Sequence, residues 1–272
     1  MKSKKKGSRG PRKVSGRVRK TPKVKRRAGA PAKSVDSRYI PRSVRRKHLD
    51  SRLQSLYQRA VILEKALIDL EENRFYRTCV FGSARIKPDT VAYNEVYQLA
   101  RLLACEGVDV LTGGGPGLMD AANKGAQQGR EDKKTKTLSY GISIRGGFER
   151  ETNTHIDVKR HHQKFSSRLD DFMRLSQSVV ITPGGIGTLL ELFFTWQLIQ
   201  VKHISYRPIV FLNKKFWSGV IDWMRAVPLA NELMSPHDFD CISIVDTPEE
   251  VAAIIAAHHR EFLEKNKVNP SA

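Results

Sequence analysis

The sequence predicts an α/β protein in which helices cover both faces of a doubly wound parallel sheet. Short, continuously apolar segments alternate with longer amphipathic ones along most of the 272 residues, as in buried parallel sheets. Glycine-marked turns follow three of the apolar segments, at Gly82-Ser83, at "GGGPG" (113–117) and at "PGGIGT" (183–188). In such sheets ligands bind beyond the carboxyl ends of the strands, where these turns should lie. The arrangement is Rossmann-like.

Basic residues are concentrated at the start of the chain. Residues 1–48 contain 20 of the 48 Lys and Arg side chains and one acid, Asp36, which leaves 28 basic and 27 acidic side chains on the remainder. Because this segment is poor in apolar residues and interrupted by Pro and Gly, we expect a disordered tail. Two interpretations stay open, a solubilising extension and an electrostatic attachment to RNA, DNA or anionic lipid. A transit peptide is disfavoured because lysine is abundant and no amphipathic helix is evident.

Apolar residues recur at three- and four-residue steps within residues 49–73, which predicts a peripheral helix. A single apolar stripe of this kind should cover a core or a partner subunit. The Rossmann-like domain is predicted to follow at 74–265. The stripe comprises Leu53, Leu56, Tyr57, Ala60, Leu63, Leu67 and Leu70.

Strands and helices are predicted to alternate through this domain, with Gly129 closing the second helix. The predicted strands are 78–82, 108–115, 138–144, 178–185, 208–213 and 241–245. The predicted helices are 90–106, 117–129, 161–175, 187–201, a stretch containing Trp217 and Trp223, and a C-terminal helix after "DTPEE" (246–250).

The glycine turns that begin helices predict a phosphate site. A helix N-terminus has unpaired N–H groups and a partial positive charge, and glycine lets an anion approach the backbone. Thr188 adds a hydroxyl donor. Glycine also marks ordinary tight turns, but two glycine-rich turns in one sheet favour a nucleotide phosphate. The dinucleotide pattern G-x-G-x-x-G and the G-K-[ST] of triphosphatases do not occur, so a monophosphate fits best.

Two charged residues near the turns are candidates for chemistry. Glu191 follows the third turn among apolar neighbours, which would desolvate its carboxylate. A helix-stabilising acid is the ordinary alternative. Arg168 is predicted on the preceding helix, packed at the same end of the sheet. Its ordinary alternative is a solvated surface arginine.

Other chemistries receive little support from the sequence. Cys79, Cys105 and Cys241 are scattered and fit buried thiols of a reducing, cytoplasmic compartment. His161 and His162 are interpreted as surface residues, so neither a metal nor a cofactor is expected. No apolar run reaches membrane-spanning length, and we expect no membrane partner.

The three motifs "VFGSAR" (80–85), "TGGGPGLMDAANKGA" (112–126) and "PGGIGTLLE" (183–191) together resemble the Lonely Guy family. Its members are cytokinin riboside 5′-monophosphate phosphoribohydrolases, long mislabelled as lysine decarboxylases. The similarity runs from about residue 76 to residue 225, and the extra helix and longer C-terminal part resemble the larger bacterial branch. The resemblance implies hydrolysis of a nucleoside 5′-monophosphate, such as AMP or N6-modified AMP, in a homodimer or larger homo-oligomer.

The resemblance also implies site residues. The family's catalytic arginine and glutamate fall on Arg168 and Glu191, and an upstream substrate-binding glutamate falls on Glu149, followed by Asn153. Substrate binding is expected from Gly82, Ser83, Gly114, Gly115, Gly117, Met119, Glu149, Asn153, Gly184, Gly185, Gly187 and Thr188.

Two positions depart from the family pattern. Leu169 replaces the lysine that usually follows the arginine, and Leu190 replaces an acid that often precedes the glutamate. The alternative function is therefore a non-catalytic nucleotide or molybdenum cofactor carrier on the same fold. A decarboxylase is disfavoured because no lysine near the turns, such as Lys124 or Lys164, has the setting of a Schiff-base residue.

Overall fold

A computed structural model describes residues 42–144 and 152–268 of the chain. The predicted tail therefore lies outside the described residues up to residue 41, and so does the candidate Glu149. The described chain divides between Ser55 and Leu56 into two units.

The first helix, α1, spans Arg42–Arg74. Residues 42–48, which were assigned to the disordered tail, are thus helical, because they are rich in the good helix formers Arg and Lys and lack Gly and Pro. Four leucines of the predicted stripe are exposed by 60% or more of their surface: Leu53, Leu56, Leu63 and Leu67. Whether a partner covers this stripe stays a prediction.

In the part of the chain that the structure describes, seven parallel strands form one sheet in the order β4-β3-β2-β1-β5-β6-β7. The predicted fold class is confirmed. The chain winds outward from β1 to β4, returns to place β5 on the other side of β1, and continues to β7. The strands are β1 (Arg77–Phe81), β2 (Asp109–Thr112), β3 (Ser139–Ile144), β4 (Val158–His162), β5 (Ser178–Ile181), β6 (Ile209–Leu212) and β7 (Ile242–Val245).

Helices connect the strands on both faces of the sheet. Thr90 and Asn213 cap two of them by accepting hydrogen bonds from backbone amides of the first turn. The helices are α2 (Val91–Cys105), α3 (Leu118–Lys133), α4 (Phe165–Leu175), α5 (Ile186–Gln200), α6 (Lys214–Met224) and α7 (Pro248–Val268), with helical turns at Arg225–Leu229 and Pro236–Phe239.

Alternate residues of the central strands enter two hydrophobic cores. Val80 and its neighbours on one face pack against α2, α3 and α7. Phe81 and its neighbours on the other face pack against α4, α5 and α6. Because both faces are covered, the strands are buried and read as unbroken apolar runs. The cores fix where each strand ends, and so where the turns meet.

Two predicted boundaries were wrong. His161 and His162, predicted to begin a helix, instead end the edge strand β4, which was not predicted because "VKRHH" (158–162) alternates between half-buried and exposed positions and lacks an apolar run. Gly129 lies inside α3, which continues to Lys133. It closes no helix; a Cβ there would meet the Arg101 carbonyl oxygen, so Gly129 permits close packing of α3 on α2.

Candidate active site

A cavity of about 480 Å³ lies where the sheet reverses its winding, between the carboxyl ends of β1 and β5. This switch point is the usual ligand site of doubly wound sheets. All three glycine turns border this region, because β1, β2 and β5 are neighbours. The cavity is lined by Val80, Phe81, Gly82, Ser83, Ala84, Arg85, Gly113, Met119, Ile144, Phe165, Arg168, Gly185, Ile186, Gly187, Thr188 and Glu191.

The first turn of α5 forms one wall of the cavity. Gly185, Ile186 and Gly187 are exposed, and the helix has no side-chain cap. Thr188 folds back so closely that a Cβ on Gly184 would overlap its hydroxyl. Gly184 thus makes room for Thr188, while Gly185, Ile186 and Gly187 line the opening. Unsatisfied amides at a helix N-terminus can bind an anion.

Arg168 lines the cavity, and only 7% of its surface is exposed. It is therefore not the solvated surface arginine of the alternative interpretation. Its Nε donates to the Ile142 carbonyl oxygen of β3 over 2.8 Å. The guanidinium carbon lies 5.1 Å from the centre of the Phe172 ring. The guanidinium is therefore held by the backbone of β3 and by an aromatic side chain of its own helix.

Glu191 lies one turn into α5 and is paired with this arginine. Its Oε1 is 3.9 Å from Arg168 Nη1, and 15% of its side-chain surface is exposed. The carboxyl group and the guanidinium thus lie side by side in a cleft that solvent barely reaches. The two residues named from the sequence as catalytic candidates are thus brought together.

The turn "GGGPG" (113–117) is mostly closed by the protein itself. Gly114 N donates to Thr112 Oγ1 over 2.9 Å, and Leu118 N, the first amide of α3, donates to the Ser83 carbonyl oxygen over 3.0 Å. Of its predicted substrate-binding residues, Gly114, Gly115 and Gly117 lie outside the cavity lining. Only Gly113 of this turn lines the cavity.

Asn153 supports the same turn. Its backbone amide donates to the Gly114 carbonyl oxygen over 2.8 Å, and its Nδ2 donates to the Gly115 carbonyl oxygen over 3.0 Å. It also bonds Asn123, which is fully buried. Asn153 is not among the cavity residues, so its described contacts are structural.

Several lining residues were not named from the sequence. Phe165 begins α4, lines the cavity and is 58% exposed. Ile144 ends β3, and Ile186 begins α5. With Met119, which was named, these residues give the cavity an apolar side. A strand-end position could have suggested Ile144; nothing in the sequence distinguishes Phe165 from a core residue.

Burial keeps two of the described thiols neutral. Burial, followed by the charge of Glu191, raises the pKa of the Cys79 thiol well above its usual value, so it stays neutral. Burial also raises the pKa of Cys241, to about 11. In residues 42–144 and 152–268, no three His, Cys, Asp or Glu side chains are grouped as ligands for a metal ion.

Over the same residues no helix has the length and apolarity needed to cross a bilayer.

The fold and the cavity define a Rossmann-like protein with a candidate nucleotide site at its switch point. A family model described as "possible lysine decarboxylase" matches residues 119–255, half of the chain. The chain therefore belongs to this family, the Lonely Guy family that the three motifs resemble.

The chain is also similar to individual proteins. It is 30% identical over 149 residues to a probable cytokinin riboside 5′-monophosphate phosphoribohydrolase of Oryza sativa subsp. japonica, covering 53% of this chain and 65% of that protein. It is 30% identical over 89 residues to the pyrimidine/purine nucleotide 5′-monophosphate nucleosidase of Escherichia coli K12, covering 32% of this chain and 20% of that protein. The matches thus span less than two thirds of either relative.

A solved structure of similar fold is the molybdenum cofactor binding protein from Rippkaea orientalis. The two share 22% identity with a TM-score of 0.49, over 68% of this chain and 97% of that chain.

Proposed function

We propose that this chain hydrolyses the N-glycosidic bond of a nucleoside 5′-monophosphate, AMP or an N6-modified AMP, to a free base and ribose 5-phosphate. The observation that carries the proposal is the Arg168–Glu191 pair, 3.9 Å apart, one helical turn from the exposed amides at the start of α5. The names of the two relatives, both acting on nucleoside 5′-monophosphates, agree with it.

The first turn of α5 is the part of the cavity suited to the 5′-phosphate. The exposed backbone of Gly185–Gly187 offers amides, the helix dipole adds partial positive charge, and Thr188 adds a hydroxyl. Binding the phosphate there would anchor a group remote from the reacting bond. That binding energy would then orient the ribose over Glu191.

The paired charges suit the chemistry at C1′. Breaking the glycosidic bond develops positive charge on the ribose, and the Glu191 carboxylate can stabilise that charge or orient the attacking water. The Arg168 guanidinium donates hydrogen bonds only, so it can bind substrate oxygens or assist the departing base but cannot act as the general base. The C1′–N bond breaks with its electron pair going to the base, and water supplies the new hydroxyl at C1′ while its other proton goes to the base.

The apolar side of the cavity suits the base. Met119, Ile144, Phe165 and Ile186 line it, and Phe165 presents an exposed ring. Aromatic and aliphatic side chains bind a flat base through stacking and burial with little dependence on its identity. The exposed ring also leaves room for a substituent on N6.

The two departures from the family pattern leave the charges of the cavity intact. Leu169 is buried at 8% exposure, while Leu190 is 47% exposed, and neither is among the lining residues. Because neither leucine lines the cavity, we expect both replacements to leave the Arg168–Glu191 pair in place.

The test is a substrate series. The full chain is incubated with AMP, N6-isopentenyl-AMP, GMP, CMP and adenosine, and free base and ribose 5-phosphate are measured by chromatography. We expect base release from AMP or its N6-modified form, and release from adenosine lower by on the order of 100-fold because the phosphate anchor is missing. Binding of AMP in calorimetry without any base release would instead indicate a carrier and would refute the proposal.

A further inference from the structure

Gly113, the first residue after β2, lies against the guanidinium of Arg168. A Cβ built on Gly113 would overlap Arg168 Nη2 and would lie 2.7 Å from Met119 Sδ. Both atoms are the ends of side chains that line the cavity. Gly113 itself lines the cavity, although the sequence analysis did not include it in the candidate site.

The reason for glycine differs among the residues of this turn. Gly114 and Gly117 have φ angles of +77° and +69°, which L side chains rarely adopt, so their backbone conformation requires glycine. Gly113 is not among the residues with positive φ. An alanine is therefore compatible with its backbone, and only the space taken by Arg168 and Met119 opposes it.

We infer that Gly113 is a positioning residue: its missing side chain lets the Arg168 guanidinium sit at the cavity floor, 3.9 Å from Glu191. The Nε hydrogen bond to Ile142 and the Phe172 ring hold the guanidinium from other directions. With a methyl group at Gly113, Nη2 cannot occupy its place while these contacts persist. The guanidinium must rotate or retreat.

This inference rests on the proposed function only for its kinetic consequence. The displaced groups are flexible side-chain ends and not backbone, so the fold should tolerate Gly113→Ala. A small displacement of a group that orients substrate can cost on the order of 100-fold in rate. Gly113→Ala should therefore separate turnover from stability.

The structural arm of the experiment is a crystal structure of the full-length Gly113→Ala variant beside the wild type. We expect the Arg168 Nη1–Glu191 Oε1 distance to lengthen beyond 3.9 Å, with the sheet and α5 unmoved. A guanidinium in its wild-type position would overturn the inference, whether or not the protein is an enzyme. If the wild-type protein released no base from any of the nucleotides tested, only the proposed function would be refuted.

The kinetic arm is a double-mutant cycle with AMP. Gly113→Ala alone should lower kcat by on the order of 100-fold. In the Arg168→Ala background the same change should have little further effect, because the group it displaces is gone. A full further loss in that background would mean that Gly113 acts through something other than Arg168, and would contradict the inference.

Gly219→Ala is the matched control. Gly219 lies in α6, and a Cβ there would meet no atom within 4 Å. It should leave kcat unchanged. Both variants should unfold cooperatively with melting temperatures within about 5 °C of the wild type, and a much lower value for Gly113→Ala would show that the glycine is needed for folding and not for positioning.

Discussion

The two glycine-rich turns of the sheet are alike in composition and different in structure. In "GGGPG" (113–117) the protein's own main chain occupies the start of the helix: a Cβ on Gly117 would lie 2.5 Å from the Ser83 carbonyl oxygen, which also accepts the Leu118 amide. In "PGGIGT" (183–188) Gly185, Ile186 and Gly187 are exposed, and a Cβ on Gly185 or Gly187 would meet nothing within 4 Å. The first turn is closed, and the second is open to a ligand.

The carboxylates that follow the two turns differ in the same way. Asp120, in the first turn of α3, accepts a hydrogen bond from the Tyr93 hydroxyl over 2.6 Å and contacts His155 Nδ1 at 3.0 Å. Burial, followed by this bond to Asp120, raises the pKa of Tyr93 well above its usual value, so the phenol stays a donor. Glu191 instead lines the cavity beside Arg168. Glycine content alone therefore does not identify a ligand turn; what matters is whether the backbone already fills it.

The largest expected effect distinguishes these two carboxylates. Glu191→Gln should lower kcat for AMP by on the order of 1000-fold, because the neutral amide cannot stabilise charge at C1′ or orient water as a base. Its urea unfolding curve should remain close to that of the wild type. Steady-state base release and urea titration check the two expectations.

Asp120→Asn is the matched control for that variant. It should retain wild-type kcat and instead lose about 1 to 2 kcal/mol of unfolding free energy, because its hydrogen bonds with Tyr93 and His155 weaken. If Asp120→Asn abolished turnover while Glu191→Gln did not, the roles assigned to the two turns would be reversed.

The second prediction compares glycines. Gly117→Ala should lower the unfolding free energy by roughly 3 kcal/mol, because φ of +69° strains alanine and its Cβ meets main-chain atoms of Ser83 and Ala84. Gly187→Ala should leave the unfolding free energy unchanged or raise it by about 0.5 kcal/mol. The same change should raise the KM for AMP, because the added methyl group reduces the space for the 5′-phosphate beside the first turn of α5. Equal stability losses in urea titrations of the two variants would refute the distinction between a closed and an open turn.

The third and smallest effect concerns the opposite end of β2. Burial raises the pKa of Asp109 from 3.8 to about 6, although the Leu138 amide and Arg77 oppose the shift. The folded state therefore binds the proton more tightly than the unfolded state. Proton binding to Asp109 therefore stabilises the folded state fully below pH 3.8, and this stabilisation is lost as the pH rises through 6.

Asp109→Asn isolates this contribution. Between pH 4 and pH 7 the unfolding free energy of the wild type should fall relative to that of the variant by about 2 kcal/mol. Urea titrations of both proteins at several pH values give the difference. If the unfolding free energies of the two proteins changed in parallel with pH, Asp109 would not titrate in this range and the prediction would be wrong.

Much of the fold could be predicted because its strands are buried on both faces and appear as apolar runs. The edge strand β4 could not, since its polar residues resemble the start of a helix. The helical span of residues 42–48 was hidden by their high positive charge, which also suits a disordered tail.

The candidate site was predictable where sequence position fixes geometry. Thr188 and Glu191 follow a glycine turn on one helix, so their places follow from helix periodicity. Gly113 and Phe165 could not be found this way. Their proximity to the cavity depends on how β2, β3 and α4 pack, which no local pattern encodes.

The central claim is that the open turn binds the 5′-phosphate and delivers the ribose to Glu191. A crystal structure of the Glu191→Gln variant soaked with AMP tests it most directly. We predict phosphate oxygens within about 3 Å of the amides of residues 186–188, with C1′ beside the side chain at position 191. A phosphate bound at residues 113–117, or a ribose directed away from position 191, would contradict the account.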